Sequence, residues 1–321
     1  MTKNRLLIVD GLNLFTRHFA ANPTMSENGD HVGGTVGFFN ALCRLVEKCK
    51  PEGVIVVWEG GGSVRKKGVY ADYKKSSKPQ NLNRYYEDDI PNTYQNRNFQ
   101  IKTLIDLLSL SPFCQVYVSE AEADDAIGYL VKYTLKDKNL IIVSSDHDFY
   151  QLVSERVIIW SPTLKNFVNT DKIIDRYNIH PNNFCLAKCI TGDPSDNIPG
   201  VKGVGYKSLA KRFQMFKESA EYTLSDLLAD ATTLKGESKV KIYPGIIQNK
   251  KLIERNLRLI RLDINNLSHD QIKKLETSIG EFKPTWDNLG MHRLLKRNCI
   301  ENIDLLRYNP ILRNLNKGKI T

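Results

Sequence analysis

Leu6-Leu7-Ile8-Val9-Asp10-Gly11 is an apolar run closed by an acid and a glycine. It has the length of a buried β-strand and is far too short to cross a membrane. Two later stretches repeat the plan. Val54-Ile55-Val56-Val57-Trp58-Glu59 is followed by Gly60, and Leu140-Ile141-Ile142-Val143-Ser144-Ser145 is followed by Asp146-His147-Asp148. Further strands are expected at Gln115–Val118 and Val157–Trp160, with helical periodicity between the runs at Gly37–Cys49 and Gln100–Leu110. Strands alternating with helices predict an α/β fold, a mostly parallel central sheet flanked by helices. In such a sheet the carboxyl ends of the strands meet along one edge, where the ligand crevice lies. Asp10, Glu59, Asp146 and Asp148 are therefore expected in one crevice.

Two more acidic groups accompany them. In Ser119-Glu120-Ala121-Glu122-Ala123-Asp124-Asp125-Ala126, a helix start puts Glu122 and Asp125 on one face, with Asp124 about 100° round. Acids also favour a first helical turn for its dipole, but that does not account for the small residues Ala121, Ala123 and Ala126 between them. Gly192-Asp193-Pro194-Ser195-Asp196-Asn197-Ile198-Pro199-Gly200 has the composition of a turn, and in company with the other groups offers two more carboxylates. Crowded like charges need cations, and an all-oxygen donor set selects hard ions such as Mg²⁺ or Mn²⁺ over Zn²⁺. Two such ions about 4 Å apart suit phosphodiester chemistry.

The net charge of +10 independently points to an anionic partner. The six cysteines form no CxxC pair and no zinc spacing, which fits small buried residues in a reducing cytoplasm. No signal peptide or membrane-length apolar segment is evident, so a cytoplasmic protein with no membrane partner is expected. Residues 60–99, rich in Lys, Arg, Tyr and Asn, read as a protruding excursion. Near residue 180 the strand-like runs give way to basic helical segments, Lys207–Phe216, Ile246–Arg261 and His292–Asn298. Two domains are expected, 1–180 and 181–321.

Ile8-Val9-Asp10-Gly11, Glu122-Ala123-Asp124-Asp125, Ser144-Ser145-Asp146-His147-Asp148 and the Gly192–Gly200 run together resemble the 5′-nuclease superfamily. That group comprises flap endonucleases, the N-terminal nuclease of bacterial DNA polymerase I, and phage 5′-exonucleases and RNase H-type enzymes. The resemblance runs from residue 5 to about 213 and is greatest to the free-standing phage enzymes, which implies a host-cell cytoplasmic location. It implies a PIN-like core, a helical arch at about 60–100, and a C-terminal helical module. Asp10, Glu59, Glu122, Asp124 and partly Asp146 match the ligands of a first Mg²⁺, and Asp125, Asp148, Asp193 and Asp196 those of a second, with Mn²⁺ as substitute. Glu59 departs from the usual Asp and reaches one methylene further. Lys66 matches the basic residue that contacts the scissile phosphate, with Arg65 as its neighbouring candidate. Lys67, Tyr73 and Lys74 fall at the start of the arch as DNA contacts. Thr16 stands where relatives carry a base-stacking Tyr, which leaves Phe15 or Phe19 to substitute.

Gly200-Val201-Lys202-Gly203-Val204-Gly205-Tyr206-Lys207 resembles a helix–hairpin–helix turn, spanning about 191–213 with its flanks. Its glycines let backbone amides approach DNA phosphates, with Lys202, Lys207, Lys211 and Arg212 extending the track. The family places K⁺ at this turn. The implied enzyme is a monomeric structure-specific 5′-nuclease, exonuclease or flap endonuclease. It acts on branched or 5′-ended DNA and RNA/DNA duplex by a two-metal mechanism that yields 5′-phosphates, with RNA-primer removal as one task. Single-strand-binding protein, clamp or polymerase are partners at the family level. The alternatives are a PIN-type ribonuclease and a non-catalytic flap-binding scaffold.

Overall fold

The computed structural model describes residues 5–75, 93–237, 240–315 and 320. Six strands form one sheet: β1 (Arg5–Asp10), β2 (Gly53–Trp58), β3 (Cys114–Tyr117), β4 (Asn139–Val143), β5 (Val157–Ser161) and β6 (Asn166–Val168). The order is β3-β2-β1-β4-β5-β6, parallel throughout except for the antiparallel edge strand β6. The chain moves outward from β1 through β2 to β3 and then returns to the other side of β1 for β4. This reversal opens the crevice at the strands' carboxyl ends.

Side-chain alternation divides the strands between two cores. Leu6, Ile8, Ile55, Val57, Leu140 and Ile142 face one, and Leu7, Val9, Val54, Val56, Ile141 and Val143 face the other. The flanking helices of the first half are α1 (Gly11–Ala21), α2 (Gly33–Cys49), α3 (Val64–Val69), α4 (Thr93–Ser109) and α5 (Ala123–Tyr129). Next come α6 (Thr170–Tyr177), α7 (Phe184–Thr191), the two-stranded hairpin β7 (Gly192–Asp193) and β8 (Ile198–Pro199), and α8 (Tyr206–Arg212). The chain then runs through α9 (Leu224–Glu237), α10 (Ile242–Gln248), α11 (Lys250–Ile260), α12 (His269–Gly280), α13 (Asn288–Arg297) and α14 (Leu305–Leu315).

Both cores cross the boundary near residue 180. Leu209, Phe213, Ile246 and Ile279 belong to the first, and Met291, Leu305 and Leu312 to the second. Phe39 on α2 meets Tyr308 of α14 edge-on, with ring centres 6.4 Å apart.

Several elements depart from their sequence patterns for local reasons. α2 starts at Gly33, earlier than its periodicity suggests, because the buried Gln100 side chain accepts from the Gly34 and Thr35 amides at 2.7 and 3.2 Å. A side chain from α4 thus satisfies donors that a local cap would otherwise take. The helix expected over Ile246–Arg261 is two helices, α10 and α11. At the break, the Asn249 side chain donates to the Gly245 carbonyl at 2.8 Å, competing with the backbone ladder. α8 ends at Arg212 because Phe213 turns extended to enter the core. Residues 76–92 of the expected arch lie outside the described residues. Among the described residues, no helix is long and apolar enough to cross a membrane.

Candidate metal centre and nucleic-acid interface

A cleft of about 850 Å³ opens at the carboxyl ends of the strands, lined by Asp10, Glu59, Glu122, Asp124, Asp146 and Asp196. Asp10 closes β1 and also caps α1, accepting from the Asn13 amide at 3.1 Å while its other oxygen accepts from the Ser144 hydroxyl at 3.1 Å. Glu59 follows β2, and Gly60 after it cannot carry a side chain, because a Cβ there would stand 1.6 Å from the Val118 carbonyl oxygen. Glu122 precedes α5, and Asp124 and Asp125 lie in its first turn. Asp146 follows β4 and accepts from the Asp148 amide at 2.8 Å. Asp193 and Asp196 are carried by the β7–β8 hairpin.

The nine predicted acids therefore lie together in two tiers. Six line the cleft. Asp125, Asp148 and Asp193 sit behind them, against two buried lysines. The Lys66 ammonium, 1% exposed, lies 2.6 Å from Glu122, 3.0 Å from Asp125 and 3.4 Å from Asp124. Lys188 pairs with Asp148 and, at 2.7 Å, with Asp193. Asn266 donates to Asp125 at 2.6 Å. Glu122 receives Tyr73 Oη at 2.8 Å and Lys74 Nζ at 2.7 Å.

Crowding shows in the proton affinities. Burial pushes Asp10 up to about 7, with the nearby Asp146 charge adding to it. Burial likewise lifts Asp125 to about 7 and Asp196 to about 6, in both cases against a nearby lysine. Glu59 is also raised, by burial first, with Lys74 opposing. Burial works on Glu122 in the same direction, but Lys66 and Lys74 outweigh it and hold the carboxyl at about 2. Acids that resist ionising in the bare protein are a ready host for hard cations, and every donor is oxygen. Glu122, Asp124 and Asp125 can bring one carboxylate oxygen each within 4.8 Å of one another, as can Asp148, Asp193 and Asp196. This donor chemistry fits divalent cations.

Several expectations need correction. Lys66 does not face the cleft; its ammonium is enclosed behind the acids. Lys74, expected only as a DNA contact, is the lysine that lines the cleft. Arg65 donates to the Arg258 carbonyl at 3.3 Å, and Lys67 is exposed on α3. Tyr73 is 3% exposed and points inward to Glu122, so it offers no surface to DNA. Phe15 and Phe19 are core residues with ring centres 5.6 Å apart, and neither presents a free face to a base. His147 stacks on Tyr150 at 4.7 Å.

Sequence reasoning missed Lys188, Asn266 and the cleft residues Arg17 and Arg97. Lys188 did leave a signal. It is the one charged residue in the otherwise apolar α7, where Phe184, Cys185, Leu186, Ala187, Cys189 and Ile190 are all buried.

The Gly200–Gly205 turn projects from the hairpin that carries Asp193 and Asp196. Gly203 has φ +78°, which glycine adopts without strain, and both Gly203 and Gly205 face open space. Lys202, Lys207, Lys211 and Arg212 are exposed around it, whereas Gly200 packs against Thr191. The buried Asn256 of α11 fastens the base of the turn, donating to the Cys189 and Pro199 carbonyls at 2.8 Å.

Residues 5–178 match the 5′-3′ exonuclease, N-terminal resolvase-like domain. A 5′-3′ exonuclease of Aquifex aeolicus (strain VF5) is 28% identical over 281 residues, covering 84% of this chain and 92% of the relative. Flap endonuclease Xni of Shewanella sp. (strain MR-4) is 30% identical over 243 residues, covering 75% of this chain and 85% of the relative. Among solved structures, T5 5′-exonuclease with bound divalent metal ions (zinc) superposes with a TM-score of 0.68, over 87% of this chain and 99% of that one. At 22% identity this last likeness shows the shared fold. A domain match over more than half the chain, kinship with an exonuclease and a flap endonuclease over three quarters or more of the chain, and the same α/β architecture lead to one assignment: the chain belongs to the 5′–3′ exonuclease family and is a 5′-nuclease.

Proposed function

We propose that this protein hydrolyses phosphodiesters in 5′-flapped and 5′-ended DNA, including RNA/DNA duplexes, with two Mg²⁺ ions, and leaves 5′-phosphates. The observation that carries this reading is the set of six carboxylates lining one open cleft, with the buried Asp125 and Asp148 and the half-buried Asp193 beside them. Asp10, Glu59, Glu122, Asp124, Asp146 and Asp196 would hold the ions, supported by Asp125, Asp148 and Asp193, and Mn²⁺ would substitute. Bound there, such ions supply an activated water and neutralise charge on the leaving oxygen.

The protein's own groups do the rest. Lys66 and Lys188 oppose the burial of the rear acids and fix the orientation of their carboxyl groups. Lys74 Nζ, about a third exposed, reaches into the cleft and donates to a non-bridging oxygen of the scissile phosphate. Backbone amides of the 200–205 turn, Lys202 and Lys207 hold the duplex by its phosphates, with K⁺ as a bridging ion, so affinity falls steeply with salt. Replication proteins such as a single-strand-binding protein, clamp or polymerase are the partners such a task calls for.

The test is cleavage of a 5′-labelled flapped duplex in Mg²⁺ and in EDTA. Metal-dependent cutting near the junction is expected. Tight binding without cutting in either Mg²⁺ or Mn²⁺ would instead favour a flap-binding scaffold. Within the active enzyme, Lys74→Ala is expected to lower kcat/KM about a hundredfold, as loss of one oriented charged donor does. A change of less than threefold or so in single-turnover assays would remove Lys74 from this role.

A further inference from the structure

Arg97 stands in the second turn of α4 and lines the cleft together with Glu59 and Lys74. Its Nε is enclosed by protein without a hydrogen-bond partner. An enclosed Nε cannot meet an incoming group, so contact with a ligand falls to the two terminal nitrogens of this half-buried side chain. Of the other cleft cations, Arg17 donates to the Thr163 hydroxyl at 2.9 Å, and Lys74 is held by Glu122 at 2.7 Å with its remaining N–H groups assigned to the scissile phosphate.

Arg97 is also fixed in place. Asn96, its neighbour, donates to the His31 carbonyl at 2.9 Å. Gln100, fully buried, donates to the same carbonyl at 2.7 Å and accepts from the Gly34 and Thr35 amides. Thr35 Oγ1 closes the set by donating to the Gln100 carbonyl at 2.9 Å. These bonds bolt α4 to the start of α2 and so fix the helix from which the Arg97 side chain reaches the cleft. Pre-orientation of this kind suits an anion that arrives from outside.

We propose that Arg97 is a substrate contact on the nucleic-acid backbone, binding a non-bridging oxygen of a phosphate adjacent to the scissile one in the strand being cut. The inference rests on the nuclease reading of the cleft. A phosphate brought to the acids has neighbours along its strand, and these meet a wall of acids whose repulsion Arg97, already opposing the charge of Glu59, offsets. Arg97 supplies planar, charge-assisted donors at that position.

The test uses flapped duplexes in which one phosphate at a time is replaced by a neutral methylphosphonate. Cleavage is measured for wild type, Arg97→Ala and Arg97→Lys. The wild type is expected to lose roughly 10- to 100-fold at one linkage beside the scissile one, the range for a charge-assisted hydrogen bond. Arg97→Ala should show the same loss on all-phosphate DNA and become insensitive to that linkage, with Arg97→Lys in between. Its melting temperature should not fall, because an unpaired buried donor has been removed. An Arg97→Ala profile that parallels the wild type across the series, at full or reduced rate, would overturn the proposal. If the unmodified flap is not cut at all, the nuclease reading fails separately. Binding affinity over the same series then decides whether Arg97 contacts a phosphate.

Discussion

Replacing Asp124 and Asp146 together by Asn is expected to reduce cleavage of a flapped duplex in Mg²⁺ by roughly a thousandfold or more. Both side chains line the cleft, and both have local bonds that an amide oxygen can keep: Asp124 accepts from the Asp125 amide at 2.7 Å, and Asp146 from the Asp148 amide at 2.8 Å. The substitution thus removes charge while leaving the helix start and the turn after β4 intact. Duplex binding through the 200–205 turn should persist, which separates a chemical defect from a folding one. Calorimetric titration with Mg²⁺ should show weakened uptake. A double variant that still cuts within tenfold or so of wild type would take the cations away from this cleft.

The second large effect concerns stability. Lys188→Met is expected to cost about 3–5 kcal/mol in metal-free buffer at neutral pH, the range for breaking a buried ion pair from one side. Methionine fills similar volume but leaves Asp148 and Asp193 facing each other without a counter-ion. The two acids shift in opposite directions: burial raises Asp148 well above 3.8 despite Lys188, so the pH dependence given by the pair is carried by Asp193. Burial would push the Asp193 carboxyl up, but Lys188 more than offsets it and the group sits below the ordinary 3.8. Its charged form therefore adds stability above about pH 3.8, and that gain disappears as the pH falls through the lowered value. The gap between variant and wild type should accordingly be widest near neutrality and close in acid. Urea melts in EDTA at several pH values measure it. Equal stability at neutral pH would mean that the pair contributes nothing.

The strand-end acids were readable from sequence because each closes an apolar run and is followed by a turn or glycine that only one edge of a parallel sheet explains. The motifs around Asp124 and Asp193 narrowed the family further. Charge pairing at depth was not readable. Lys66 in the run Arg65-Lys66-Lys67 is expected to contact the scissile phosphate, whereas α3 packs against α11 and turns its ammonium inward onto Glu122, Asp124 and Asp125. Tyr73, expected as a DNA contact among the lysines at the start of the arch, instead gives its hydroxyl to a buried carboxylate. The role of Gln100 depends on residues more than sixty positions away and leaves no local pattern. Helix ends failed where side chains competed with the backbone, as at Asn249.

The β7–β8 hairpin carries Asp193 and Asp196, and the Gly200–Gly205 turn begins where it ends, with Asn256 tying the junction to α11. The proposed grip and the proposed chemistry are thus joined by a few residues of backbone braced by Asn256. In an enzyme that holds duplex at the turn, such a strut works as a ruler: the point of incision is measured from the duplex by a fixed length, whatever the base sequence. Lengthening the strut should move the cut along the strand before it slows the cutting.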